Sequence, residues 1–138
     1  MKDKLSVDEF TEKMKNQFVP VELAIKLKEL GFNDPCFGYF DIKGLNAHKH
    51  PKNPMNLNSN WVEDKKNTIV SAPIYQQVFE WFRMVHEIDI YPMNYKNGYT
   101  FIINQNKDNY VYWRNKMPYS YDKARDICIK KLINILKN

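Results

Sequence analysis

The chain has 138 residues, 43% of them hydrophobic and 14% aromatic, and it carries a formal net charge of +5 at pH 7. This length can bury a core without disulfides or metals, and the aromatic content excludes a largely disordered protein. The chain opens without a signal peptide and has no apolar run of the roughly 20 residues that a membrane span needs. We therefore predict a cytosolic protein that forms a single domain over residues 1–138.

Two helices are predicted before the first strand. Ser6, followed three residues later by Glu9, forms a capping box, which predicts a thin amphipathic helix from about Val7 to Asn16. This helix is either a satellite of the core or a partner-binding element. Pro20, apolar residues at 23, 24, 27 and 30, and Gly31 predict a second helix that ends at Gly31.

A strand, a long loop and a second short strand are predicted next. Cys36–Asp41 is rich in aromatic residues and has the length of a strand. Prolines and repeated asparagines predict a loop over residues 42–67, and loops of this length are usually functional or disordered. Thr68–Ser71 then predicts a short strand.

The stretch Ser71–His86 predicts the central helix of the core. Ser71 could cap this helix, and Pro73 lies in its first turn. Apolar residues recur at helical spacing and predict one wide buried face, formed by Ile74, Tyr75, Val78, Phe79, Trp81, Phe82, Met84 and Val85.

The C-terminal part predicts strands and a last helix. Ile88–Pro92 predicts an edge strand that ends at proline, and Tyr99–Ile103 with Tyr110–Arg114 predicts a hairpin. A final helix begins after Ser120, and its predicted apolar face consists of Tyr121, Ala124, Ile127, Cys128, Leu132, Ile135 and Leu136. Together these elements predict an α+β fold: a small antiparallel sheet of three to five strands with helices packed mainly on one face.

Motifs for catalysis or cofactor binding are absent from the sequence. There is no P-loop, Rossmann glycine pattern, nucleophilic triad or CxxC pair, and the four glycines are interpreted as isolated turn residues. We therefore predict no catalytic residue and no cofactor. Cys36 and Cys128 lie in apolar contexts and predict buried structural thiols. For His86 on the central helix we predict a hydrogen bond across a helix end rather than catalysis.

Two histidines in the predicted loop, His48 and His50, leave three interpretations open. They could hold a metal, contact a phosphate or a partner, or be solvated. No third and fourth ligand follows at a defined spacing, so we predict no metal site. The loop residues counted as candidate contacts are His48, Lys49, His50 and Lys52.

The excess positive charge of the chain lies at its C-terminal end. Residues 99–138 carry a net charge of +5, whereas residues 73–98 carry −1. Cationic residues interleaved with aromatic rings are typical of surfaces that neutralise phosphates and stack on the bases of single-stranded nucleic acid. The alternative is that the aromatic residues pack on a helix and the lysines are only solvated. The candidate contacts in this part are Lys107, Tyr110, Tyr112, Arg114, Lys116, Lys123, Lys130 and Lys131.

Several motifs are similar to those of a known group of proteins. They are FVPxELA at 18–24, LKELGF at 27–32, PCF at 35–37, APxYQQxFxWFR at 72–83 and YDxARxxC at 121–128. In these motifs the chain resembles small uncharacterised proteins from phages, prophages and other mobile elements of Bacteroidetes. Residues 1–16 and 42–67 depart from the shorter pattern of that family, which has no assigned reaction.

The resemblance implies a context rather than a reaction. Small non-enzymatic proteins of mobile elements often inhibit host defence systems. We therefore expect an inhibitor of the anti-CRISPR type that binds a host effector ribonucleoprotein or its guide RNA. The alternatives are a stand-alone RNA- or DNA-binding regulatory module and a small nucleotide-binding protein or enzyme.

Overall fold

A computed structural model of the chain describes residues 9, 15–41, 43–47, 69–106, 110–114 and 116–137, without the side chains of residues 47, 106 and 110–113. The chain divides into two compact units, Met1–Tyr75 and Gln76–Asn138. Each unit has its own three-stranded antiparallel sheet. The α+β prediction is confirmed, with the strands shared between two sheets, whereas the single-domain prediction stays a prediction.

The described helices and strands follow one another in this order: a 3₁₀ turn Lys15–Gln17, α1 Val21–Glu29, β1 Gly38–Asp41, β2 Gly44–Ala47, β3 Val70–Ala72, α2 Tyr75–His86, β4 Ile88–Tyr95, β5 Gly98–Asn106, β6 Tyr110–Arg114 and α3 Tyr121–Lys137. Apart from residues 9, 15 and 16, the helix predicted over residues 7–16 lies outside the described residues.

The sheet of the first unit has the strand order β2-β1-β3. A tight turn joins β1 to β2 because the Asp41 carboxylate accepts the N–H groups of Lys43 at 2.8 Å and Gly44 at 3.1 Å. Gly44 has a φ of +121°, which favours glycine. The prediction of a loop over residues 42–67 is therefore wrong at Gly44–Ala47, where β2 forms, and residues 48–67 lie outside the described part.

Helix α1 confirms the predicted second helix. It begins after Pro20, and Gly31 follows its end with a φ of +102°. Leu23, Ala24 and Leu27 are buried as predicted, whereas Leu30 is only half-buried. The helix packs on β3, and the N–H of Val19 donates to the carbonyl of Pro73 at 3.0 Å.

Helix α2 begins at Tyr75, four residues later than the predicted start. Ser71 and Ala72 belong to β3, because they pair with Tyr39 and Gly38 of β1, so the strand predicted over residues 68–71 is confirmed at Val70 and Ser71. Tyr75, Val78, Trp81 and Phe82 are buried. Met84 and Val85 are 70% and 59% exposed, so their predicted place on the buried face is wrong. Both lie in the last turn, after which Glu87, with a φ of 57°, leads the chain into β4.

The sheet of the second unit has the strand order β4-β5-β6. Strands β5 and β6 form the predicted hairpin, with Ile103 opposite Trp113. The predicted edge strand is also confirmed, but it extends beyond Pro92 to Tyr95 and pairs with β5 along its whole length. Lys96 and Asn97 join β4 to β5 with φ angles of 44° and 67°, the two positive values that a type I′ turn requires.

Helix α3 packs on β5 through a face that differs from the predicted one. The buried residues of α3 are Ala124, Arg125, Cys128, Ile129, Leu132 and Ile133. Tyr121 is exposed, and Ile127, Ile135 and Leu136 are half-buried. Ala124, Cys128 and Leu132 are buried as predicted, and the covered face is rotated around the helix axis to include Arg125, Ile129 and Ile133, which sequence spacing did not select.

Two further predictions concern cysteines and glycines. Cys36 and Cys128 are both buried and form no disulfide, which confirms the structural thiols, and burial raises the pKa of the Cys128 thiol. The interpretation of all four glycines as turn residues is wrong for Gly38, Gly44 and Gly98, each of which is the first residue of a strand. A Cβ atom at Gly98 would lie 2.8 Å from the carbonyl oxygen of Tyr119, so this strand position requires glycine.

Candidate functional site

The structure describes only some of the twelve predicted contact residues. His48, Lys49, His50, Lys52 and Lys107 lie outside the described part of the chain. The backbone register pairs Tyr110 with Asn106 and Tyr112 with Asn104, and their side chains are not described. Of the remaining predicted residues, Arg114, Lys116, Lys123 and Lys130 are exposed and Lys131 is half-buried.

A first group of cations surrounds the ring of Tyr95 at the end of the β4–β5 hairpin. The Arg114 guanidinium carbon lies 5.0 Å from the ring centre, and the Lys96 Nζ lies 5.3 Å from it. Both distances are within the range of a cation–π interaction. In the strand register Arg114 lies opposite Ile102, which pairs with Tyr91, so the Arg114 side chain reaches the Tyr95 ring by extending along the sheet towards the hairpin turn. Tyr95, Lys96 and Arg114 are called the Tyr95 cluster below.

A second group of rings lies where the chain enters α3. The rings of Tyr99 and Tyr121 meet edge to face at 5.3 Å, and the Lys123 Nζ lies 4.7 Å from the centre of the Tyr119 ring. Tyr99 and Tyr119 exchange two backbone hydrogen bonds, of 2.8 and 3.3 Å, which fix this segment beside β5. Tyr99, Tyr119, Tyr121 and Lys123 are called the Tyr99 cluster below.

Lysines of α3 extend the positive charge away from the Tyr99 cluster. Lys123, Lys130 and Lys137 are exposed and spaced seven residues apart, so they form one row opposite the buried face. At 1.5 Å of rise per residue, this row is about 21 Å long. Lys131 lies to one side of the row and is half-buried.

No carboxylate neutralises the cations of the two clusters within the described part of the chain. Salt bridges in that part include Arg83 with Glu80 and Arg125 with Asp122, and none of the described residues forms one with Lys96, Arg114 or Lys123. These three cations therefore carry positive charge to the surface, where they can attract an anion.

A concavity of about 380 Å³ lies beside the Tyr95 cluster. It is lined by the six residues from Asn94 to Tyr99, which include the turn between β4 and β5. Its volume falls within the range of roughly 300–1,000 Å³ that is typical of small-molecule sites.

Sequence reasoning did not select several residues of the two clusters. Tyr95, Lys96, Tyr99 and Tyr119 were not predicted as contacts. A signal near three of them was the Asn97-Gly98 pair, because Asn-Gly between two extended segments predicts a two-residue hairpin turn; the turn in the structure lies one residue earlier, at Lys96 and Asn97. That turn places Lys96 at the hairpin end and Tyr95 and Tyr99 beside it.

His86 has surroundings different from those predicted. Its ring meets Trp81 edge to face at 4.7 Å. Its Nε2 atom is buried and has no hydrogen-bond partner in the described part, so the predicted hydrogen bond across a helix end is not formed by this atom. Desolvation by burial lowers the pKa of His86.

Two searches of the described residues concern other functions. The described residues contain no group of three or more His, Cys, Asp or Glu residues that could hold a metal ion; His48 and His50 are not among the described residues. None of the described helices is both long enough and apolar enough to cross a membrane.

Comparisons of the chain with protein-family models, with curated proteins and with solved structures found no match. The resemblance to phage and mobile-element proteins therefore stays a prediction. Any functional conclusion must come from the surface chemistry of the described residues.

Proposed function

We propose that the protein is a non-enzymatic inhibitor carried by a mobile element, and that it binds the guide RNA of a host CRISPR effector. The observation that carries this proposal is the pair of cation–tyrosine clusters at one end of the second sheet. Cations beside exposed rings suit a single strand of RNA, because its phosphates are charged and its unpaired bases can stack; strand alternation places the Tyr95 and Tyr99 side chains on opposite faces of the sheet, next to the same hairpin turn.

The Tyr99 cluster supplies the rings that can stack. Tyr99 and Tyr121 are 38% and 40% exposed, so each has ring surface available to a base, on Tyr121 beside the Arg125 guanidinium, whose carbon lies 5.4 Å from the ring centre. Stacking of one base on an aromatic side chain contributes about 1–3 kcal/mol. The Tyr99–Tyr119 backbone hydrogen bonds and the contact between Tyr121 and Phe101 at 5.6 Å hold the rings before RNA arrives.

The cations supply the electrostatic part of the affinity. Lys96, Arg114 and Lys123 lie in the two clusters, and the row of lysines on α3 continues from Lys123. Contacts to three phosphates of a single strand give a slope of about −2 in a plot of log K against log salt concentration. Affinity should then fall roughly 20-fold between 50 and 200 mM salt.

The role as an inhibitor rests on the motif resemblance alone and is an analogy, not a consequence of the site. The same surface would serve a stand-alone RNA-binding module. The two functions differ in what the protein does in a cell: the inhibitor protects an invading phage or plasmid from a defence nuclease, whereas the module does not.

The direct test is binding of a fluorescent 12-nucleotide single-stranded RNA, followed by anisotropy at 50 and 200 mM salt. We expect binding by the natural protein and at least a tenfold loss in the double variant Tyr99→Leu/Tyr121→Leu. Tyr91→Leu is the matched control, because Tyr91 is 45% exposed on β4 and belongs to neither cluster. Absence of binding at 50 mM salt, or equal binding by both variants, would refute the proposal.

A plasmid-interference assay then separates the two cellular roles. Cells that express a CRISPR effector should retain a targeted plasmid when the natural protein is present and lose it when the double variant is present. RNA binding without any protection would favour the stand-alone module.

A further inference from the structure

We infer that the Tyr95 cluster is a phosphate-binding site formed by Lys96, Arg114 and the adjacent hairpin turn. This inference deepens the proposed function and rests on it for the nature of the RNA ligand. It assigns different tasks to the two clusters: the Tyr95 cluster binds phosphate, and the Tyr99 cluster stacks on bases.

The ring of Tyr95 is not suited to stacking on a base. It is half-buried, and two cations already lie near its centre, at 5.0 and 5.3 Å. A base would have to displace one of them. The ring instead acts as a support that fixes the positions of an arginine and a lysine whose side chains would otherwise be mobile.

Both cations add positive potential to the same part of the surface. Their distances to the shared ring centre limit their separation to about 10 Å, which is roughly one Debye length at 0.1 M salt. They repel each other at this separation, and no described carboxylate forms a salt bridge with either of them. An anion between them would relieve the repulsion and be held from two sides.

The hairpin turn places a rigid segment of backbone beside the proposed anion site. Lys96 and Asn97 have left-handed backbone angles, and Gly98 lies so close to Tyr119 that a Cβ atom would be 2.8 Å from its carbonyl oxygen. The concavity of about 380 Å³ beside the turn includes Asn94 and Asn97, whose amide groups can donate hydrogen bonds. Two cations, amide donors and no carboxylate match the chemistry of phosphate.

The phosphate could belong to the RNA backbone or to the 5′ end of the strand. The chemistry of recognition is the same in both cases, since each presents negatively charged oxygens to an arginine and a lysine. The two sources are separated in the experiment below.

The first test uses inorganic pyrophosphate and requires no RNA. In an NMR titration of the full chain, we expect saturable shifts of the backbone amide signals of Asn97 and Gly98. The double variant Lys96→Gln/Arg114→Gln should lose these shifts, and the control Lys26→Gln/Lys43→Gln, with two exposed lysines of the first unit, should keep them. Shifts that are absent, or that persist in the Lys96/Arg114 variant, would overturn the inference.

The second test compares salt dependence with the 12-nucleotide RNA. Loss of one or two phosphate contacts should make the slope of log K against log salt shallower by about 0.7–1.4 in the Lys96/Arg114 variant, whereas the Tyr99/Tyr121 variant should bind more weakly with an unchanged slope. An unchanged slope in the Lys96/Arg114 variant would overturn the inference while leaving RNA binding intact. If pyrophosphate binds but RNA does not, the phosphate site stands and the proposed function fails.

A comparison of binding to RNA with and without a 5′-phosphate identifies the source of the phosphate. Tighter binding of the phosphorylated strand by the natural protein but not by the Lys96/Arg114 variant would assign the site to the strand end. Equal binding of both strands, together with the shallower slope of the variant, would assign it to the backbone.

Discussion

Replacement of Gly98 by alanine should destabilise the protein through a contact that can be specified atom by atom. Gly98 is the first residue of β5, and the segment that contains Tyr119 pairs beside it. The added Cβ atom would lie 2.8 Å from the Tyr119 carbonyl oxygen, 3.2 Å from its nitrogen and 3.0 Å from Pro118 Cβ. These distances are well below the roughly 3.5–4.0 Å of an ordinary contact.

The expected cost follows from which atoms must move. Two of the three close atoms belong to the backbone, so they cannot move away by a change of rotamer. The two Tyr99–Tyr119 hydrogen bonds must lengthen or break to make room. Overpacking of this kind destabilises a folded protein by about 1–3 kcal/mol. With a urea m-value of about 2 kcal/mol/M, a loss of 2 kcal/mol lowers the unfolding midpoint by about 1 M.

Urea unfolding, followed by circular dichroism and by tryptophan fluorescence, measures this change. Asn97→Gly is the matched control at the neighbouring position. Its φ of 67° suits glycine, and the relief of strain roughly offsets the added entropy of the unfolded chain, so its midpoint should stay within about 0.5 M of the natural protein. A midpoint for Gly98→Ala that equals that of the natural protein at equal m-value would refute the close approach of Tyr119.

Three other predictions concern the helices and the thiols. Ser120→Ala should destabilise the protein by about 1 kcal/mol in urea unfolding, because the Ser120 hydroxyl accepts the N–H of Lys123 at 3.3 Å at the start of α3; no loss would contradict this cap. Burial lowers the pKa of His86, so between that lowered pKa and the ordinary value of about 6.5 the unfolded chain binds more protons than the folded one. Stability should therefore fall as the pH falls through this window, and His86→Phe should show a weaker fall when urea midpoints are compared at pH 7.5 and 5.0; parallel curves would refute this. Cys36 and Cys128 are buried, so a thiol reagent should modify both only after unfolding, and rapid modification of the native protein would show that one of them is accessible.

Much of the fold could be predicted because local signals and tertiary packing agree. Helix α1 has proline before it, glycine after it and an apolar face that is buried. The β5–β6 hairpin has β-branched and aromatic residues in both strands. At these positions tertiary packing and local sequence preference favour the same secondary structure.

The prediction errors occur where a segment pairs with, or is buried by, residues distant in the sequence. Gly44–Ala47 has little strand preference, and it becomes a strand because the Asp41 carboxylate closes a turn that brings it beside β1. Ser71 is a suitable helix cap, but pairing with Tyr39 places it in β3. Val85 continues the apolar periodicity of α2 and is still exposed. Residue spacing defines which face of a helix is apolar, but it does not define how many turns of that face other residues bury.

The candidate site was only partly predictable for a similar reason. Arg114, Lys123 and the interleaving of charge with rings were visible in the sequence. The contact of Arg114 with Tyr95 was not, since it joins strands β6 and β4 across β5. Such a pair depends on the register of two strand pairings, and a shift of one residue would separate the side chains.

Pro92 has a consequence for how molecules of this protein meet at high concentration. It lies within β4, the edge strand of the second sheet, opposite Phe101. Proline has no N–H group to offer, so an extended segment of another molecule that approached this edge could not form a continuous ladder of hydrogen bonds. The sheet thus carries its own protection against edge-to-edge aggregation and fibril growth along β4.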